Sequence, residues 1–227
     1  MKVITALLTL TIAGAASGAR ADEPGRLTES AAVIRAMHDL KMKELPSDRW
    51  QKADCVVVIP SLKKAGFIIG GEYGRGVASC RNATGWSAPS FVKLQKGSWG
   101  AQIGAEEIDL VLLIMNREGM DKLLDDKFTL GASASASAGP AGRSATAATD
   151  LKMTAGILSY SRSQGLFAGV DVSGGILAPD KESNAEVYGR AITAREILLE
   201  HRVSAPASAA SFMSALQEEF GGVATDH

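Results

Sequence analysis

The chain has 227 residues, 46% of them hydrophobic but only 5% aromatic, and a formal charge of −1 at neutral pH. That length suits one domain with its own core once a front segment is set aside, and the small charge excludes a globally basic nucleic-acid binder. A core this poor in aromatic rings has to be built from closely packed aliphatic, Ala and Gly positions.

Residues 1–21, MKVITALLTLTIAGAASGARA, read as a secretory signal peptide, with Lys2 as the charged start, an apolar run over 3–16 and Ala19-Arg20-Ala21 as a small-residue cleavage site before Asp22. A membrane anchor is the alternative, but the run falls short of the roughly 20 residues that a span needs. The expected location is secreted or periplasmic, with peripheral membrane association. Residues 22–29 read as a short linker, 30–203 as the domain, and 204–227 as a C-terminal helix and tail.

Helical periodicity runs over 27–45, with Leu27, Ala31, Ile34, Met42 and Leu45 on one side and Thr28, Glu29, Arg35, Asp39 and Lys43 opposite, until Pro46 stops it. Both signs of charge on the polar side favour packing on the domain over lying in an anionic bilayer. The period then changes to that of strands over 55–59, 66–72, 76–80, 90–94, 99–105 and 108–115, the first ended by Pro60. A short helix follows over 117–126. Small alternating Ser and Ala residues at 131–142 read as structure that lets another element sit close, rather than as a linker. Strands over 153–161 and 165–177 and helices over 180–190, 193–201 and 206–220 complete the chain. The predicted fold is α+β: a strongly curved antiparallel β-sheet, or a small barrel or sandwich, with flanking N- and C-terminal helices.

Two cysteines, Cys55 and Cys80, lie on neighbouring predicted strands and read as a disulfide in an oxidising compartment, with two buried free thiols as the alternative. Between them lies GFIIGGEYGRG, residues 66–76, which fits neither phosphate-binding loop. Glu72 stands where a P-loop has Lys, and no helix signal follows Gly74-Arg75-Gly76 as a dinucleotide fingerprint requires. The G-x-x-x-G spacing at 66–70 recurs at 100–104 and 165–169, and glycines in strand interiors mark bends or close approach of another backbone. Charge is local: Lys63, Lys64, Arg75, Arg81, Lys93 and Lys96 face Glu72 alone over 55–105, and acids predominate over 106–127. Catalytic and metal motifs are missing: His38, His201 and His227 have no ligand spacing, there is no G-x-S-x-G elbow, and the adjacent acid pairs would face opposite ways in a strand.

Seven blocks in order carry a resemblance: ADCVVVIPSLKKAGFIIGG (53–71), GRGVASCR (74–81), GWSAPS (85–90), GAQIG (100–104), DLVLLIMN (109–116), LGASASASAGP (130–140) and YSRSQGLFAGV (160–170). Together they resemble the SYLF domain family, shared by bacterial secreted proteins and by eukaryotic actin-patch and FYVE- or SH3-containing proteins. The resemblance implies a non-enzymatic module that binds membrane lipids through basic residues and an amphipathic N-terminal helix, with actin binding in yeast members. With a signal peptide in place of an SH3 or FYVE partner, actin binding is not expected to transfer. Phosphatidylglycerol, cardiolipin or phosphatidic acid are then the expected ligands in place of phosphoinositides. The candidate lipid contacts are Lys63 and Lys64 foremost, supported by Arg75 and Arg81. No cofactor, metal ion or nucleic acid is expected, and an envelope protein seated on the glycine lanes is the alternative partner.

Overall fold

Pro60 does not end the first strand. In the computed structural model, which describes residues 22–37, 51–66, 69–99, 104–116, 119, 121, 123–131, 136–138, 156–163 and 166–221, β1 runs through it from Cys55 to Gly66. The pairing of β1 shifts register between Ile59 and Leu62 against one neighbour and between Val58 and Lys63 against the other, and Ser61 there takes φ 55°. A bulge is where a strand tolerates a residue with no N–H to donate.

Opposite this bulge lies β2, Ile69–Asn82, which joins the two strands expected at 66–72 and 76–80 into one. Gly74 and Gly76 sit inside it. A methyl on Gly74 would come within 2.5 Å of Ile59 Cγ2, and one on Gly76 would meet the Val58 carbonyl oxygen and lie 2.9 Å from Ile59 Cα. GFIIGGEYGRG is therefore a hairpin arm whose last glycines let the bulged backbone of β1 lie directly on β2; residues 67–68 lie outside the described residues. Gly76→Ala is expected to cost about 2 kcal/mol, because the obstructing atoms are backbone and cannot rotate away. Denaturant midpoints of the two proteins check this, and a difference under about 0.5 kcal/mol contradicts it.

After the two-residue β3 (Gly85–Trp86) come β4 (Ser90–Trp99), β5 (Gly104–Ile114), β6 (Phe128–Thr129), β7 (Ala136–Ala138), β8 (Ile157–Ser163), β9 (Leu166–Gly169) and β10 (Ile176–Pro179). They form one open sheet in the order β6-β10-β4-β2-β1-β5-β8-β7, with β3 on β2 and β9 on β8; every described pairing is antiparallel except β7 with β8. The structure is thus the α+β fold expected, with the sheet not closed into a barrel. The expected strand 165–177 divides in two, because Gly174 turns the chain at φ 81° and sends β10 to the far side against β4. Residues 95–97, between the strands expected at 90–94 and 99–105, are strand interior instead of a turn. Of the helix expected over 117–126, positions 119, 121 and 123 are helical whereas 124–126 are turn and bend, so it ends earlier than expected; most of the 131–142 stretch lies outside the described residues.

Helix α1 spans Glu23–Ala36, starting within the stretch that reads as a linker, because Asp22 caps it: the Gly25 N–H donates to Asp22 Oδ1 at 2.9 Å, and Pro24 occupies the first turn. The remainder of the expected 27–45 helix after Met37 is outside the described residues. Asp180 caps α2 (Lys181–Tyr188), which closes at left-handed Gly189, and Thr193 with Glu196 forms a capping box on α3 (Ala194–Leu198). A 3-10 turn at Ala207–Ala209 leads into α4, Ala210–Phe220.

Strand alternation gives the sheet two buried faces. On one, α1 (Leu27, Ala31, Ile34) and α4 (Phe212, Leu216, Phe220) cover Val56, Val77, Phe91 and Val111. On the other, Ile192, Ile197 and Leu198 cover Val57, Ile59, Leu110 and Leu112, together with Cys55 and Cys80. Cys55 and Cys80 are directly opposed in the β1–β2 register and joined by a disulfide, with Cα atoms 4.0 Å apart. Since α4 shares its core with α1, the C-terminal helix belongs to the domain rather than following it.

Candidate functional site

The helices cover only one end of their face. Toward the other end the same alternation that buries Val77 and Phe91 brings Arg75 and Lys93 side by side, and then one row further Glu107, Lys63, Tyr73, Gln95 and Ile176. Tyr73 and Ile176 are among the few exposed large apolar side chains, at 44% and 42%. Lys63 is exposed and in no ion pair within 4.0 Å among the described residues.

Where the first turn of α1 meets this surface, charge is concentrated around Asp180, which is fully buried. Arg75 donates from Nε at 3.2 Å and from Nη2 at 3.1 Å to Asp180 Oδ2, and Lys93 Nζ lies 3.2 Å from Oδ1. Arg26 Nη1 approaches Oδ2 at 3.6 Å, and its guanidinium lies 5.2 Å over the Phe91 ring. Ser183 Oγ stands between two carboxylates, 2.9 Å from Glu23 Oε1 and 3.0 Å from Asp180 Oδ2. Burial pushes the Asp180 carboxyl up, but hydrogen bonds from Lys93 and Ser183 and the charges of Lys93 and Arg75 outweigh it and hold it below the usual carboxylate range. Burial, helped by Arg75, lowers the Arg26 guanidinium against the opposing pull of Asp180 and Glu23. Although Arg26 is 6% exposed, its Nη1 has no hydrogen-bond partner.

In front of this cluster opens a cleft of about 330 Å³. One wall is α1, with Arg26, Glu29 and the capping Asp22; the floor is the β1 bulge at Ser61; and the other wall carries Lys63, Tyr73 and Arg75. It holds cations and acids within one small volume, with no nucleophile–base pair among the described residues that line it.

Of the four basic residues singled out from sequence, Lys63 and Arg75 line the cleft. Lys64 does not join Lys63, because successive residues of a strand face opposite sides. It stands on the other face in a cross-strand row of alternating sign, Glu106, Lys64, Glu72 and Lys96, 4.0 Å from Glu106. Arg81 lies at the far end of β2 as a structural clamp: Nε donates to Ala53 O at 2.9 Å, Nη2 donates to Phe220 O, and the guanidinium lies 4.7 Å over Trp86. It ties β2 to the end of α4 and has little left to offer a ligand. Sequence reasoning missed Arg26, Glu23 and Asp180. The helix start at Asp180 was legible, but nothing local signals that its carboxylate meets cations from three other elements.

A family model described as "Ysc84: Las17-binding protein actin regulator" matches residues 95–219. LAS seventeen-binding protein 3 of Saccharomyces cerevisiae is 37% identical over 158 residues, covering 68% of this chain and 34% of that protein. Protein YSC84 of the same yeast is 35% identical over 176 residues, 75% of this chain and 37% of its own length. SH3 domain-containing YSC84-like protein 1 of Homo sapiens is 33% identical over 158 residues, 69% of this chain and 46% of that one. The chain thus spans between about a third and a half of the length of these relatives. With more than half of its residues inside the matched segment, this protein belongs to the Ysc84, or SYLF domain, family.

Proposed function

We propose that the chain is a non-enzymatic module that binds anionic phospholipid headgroups at a membrane surface, reached from outside the cytoplasm. The observation that carries this reading is Lys63, exposed and in no ion pair within 4.0 Å among the described residues, cross-strand from Glu107 on one side and from the exposed ring of Tyr73 on the other. A lysine near an anionic surface contributes about 1 kcal/mol, and a tyrosine ring suits the boundary where one end is apolar and the other wet. Arg75 and Lys93 stand in the adjoining row, already partly neutralised by Asp180. Lys64, on the opposite face, and Arg81, spent on backbone carbonyls, are left out of the contact set.

Sedimentation of the processed chain with neutral and anionic vesicles tests this. Salt-sensitive binding to anionic vesicles alone is expected, reduced about tenfold in Lys63→Glu, since reversing one charge near the surface removes more than the roughly 1 kcal/mol of one lysine. Lys64→Gln is expected to stay within about twofold of the parent. Equal losses in the two variants contradict the assignment. A second reading, a protein-interaction module, is favoured by the family description as Las17-binding; absence of binding to any vesicle supports it over the first.

A further inference from the structure

We infer that the cleft between α1 and the β1–β2 ribbon is a two-sided headgroup site, in which Arg26, Lys63 and Arg75 take a phosphodiester while Asp22 and Glu29 take hydroxyl or ammonium donors on its alcohol. This rests on the reading of the chain as a headgroup-binding module and specifies which headgroups it accepts.

Two independent observations point to the phosphate side. Arg26, which lines the cleft, meets Glu23 and Asp180 only at 3.7 and 3.6 Å, beyond ordinary N–H···O reach, and its buried Nη1 makes no hydrogen bond. Lys63, on the facing wall, is in no ion pair within 4.0 Å among the described residues. A guanidinium fork with a mobile ammonium opposite it is a natural arrangement for phosphate oxygens.

The acids decide the rest. Asp22 gives one oxygen to the Gly25 N–H, and its other oxygen and Glu29 have no cation partner among the described residues. A ligand that is only an anion meets these carboxylates as like charges. A glycerol or serine alcohol on an anionic lipid instead offers them O–H or N–H donors, giving charge-assisted hydrogen bonds. Phosphatidic acid has no such alcohol, and choline carries no donor. At about 330 Å³ the space is at the small end for molecular pockets and suits a headgroup without acyl chains. The chains then leave past Tyr73 at the open rim.

Vesicles matched in surface charge, carrying either phosphatidylglycerol or phosphatidic acid, separate this from simple charge attraction. Phosphatidylglycerol is expected to bind about tenfold tighter or more, the scale of one hydrogen bond to a charged group. Glu29→Gln, an exposed change that does not touch the buried cluster, should bring phosphatidylglycerol binding down to the phosphatidic acid level. Equal or tighter binding of phosphatidic acid by the parent, or a preference that survives in Glu29→Gln, overturns the proposal. A parallel titration with soluble glycerophosphoglycerol, followed by chemical shifts, is expected to perturb α1 and β2 and to weaken about tenfold in Lys63→Gln. If the soluble headgroup binds in this way and no vesicle does, the site stands and the membrane reading falls; if neither binds, the site falls as well.

Discussion

Asp180→Asn is expected to lower the stability of the fold by about 3 kcal/mol, the lower end of what removing one partner of a buried ion pair costs. Asparagine keeps the size of the side chain and can still cap α2 through the Ser183 N–H, so the change isolates charge. It leaves Arg75 and Lys93, each about one-third exposed, with water as an alternative partner, but Arg26 at 6% exposure keeps only Glu23 at 3.7 Å. Urea unfolding of the two proteins gives the difference directly, and a loss below about 1 kcal/mol contradicts the role assigned to Asp180. Adding Arg26→Met to Asp180→Asn should recover part of the loss, because it removes the stranded cation. The wild-type carboxyl is held below its unfolded value, so its contribution is complete above the unfolded pKa of about 4 and is lost as pH falls through the folded value. Acid unfolding of Asp180→Asn should consequently begin from lower stability and depend less steeply on pH below about 4.

The second large effect concerns the bond between Cys55 and Cys80, which closes a loop of 25 residues between directly opposed positions of the two central strands. Replacing both by Ala is expected to cost on the order of 3 kcal/mol through the freedom returned to the unfolded chain. The parent unfolded in reductant should reproduce the lower stability, whereas the double variant should be indifferent to reductant. A parent equally stable with and without reductant would count against a disulfide in solution.

Local chemistry made much of this fold readable. The Cys55–Ile59 run and the helix starts at Asp180, Thr193 and Pro206 each announce themselves within a few residues, and the structure has them there, whereas the helix expected to run to 190 stops at Gly189. Pro60 misled because its cost to a strand depends on whether a bulge leaves it without a partner to bond, and the bulge is set by Gly74 and Gly76 on the neighbouring strand. The site was half legible for a related reason. Lys63 and Arg75 stand out as basic residues among apolar ones, but the separation of Lys63 from Lys64 follows only once both are known to lie in a strand. Arg26 and Asp180 are joined through a contact 154 residues long, with no periodicity to reveal it.

The sharing of one core by α1 and α4 also sets an order in time. Arg35 bonds to Ser211, 176 residues later in the chain, and at about 5–20 residues per second of synthesis α4 follows α1 by roughly 10–35 s. Throughout that interval Leu27, Ala31 and Ile34 lack the cover that α4 supplies. Among the described residues the first helix made is therefore the last to receive its full cover.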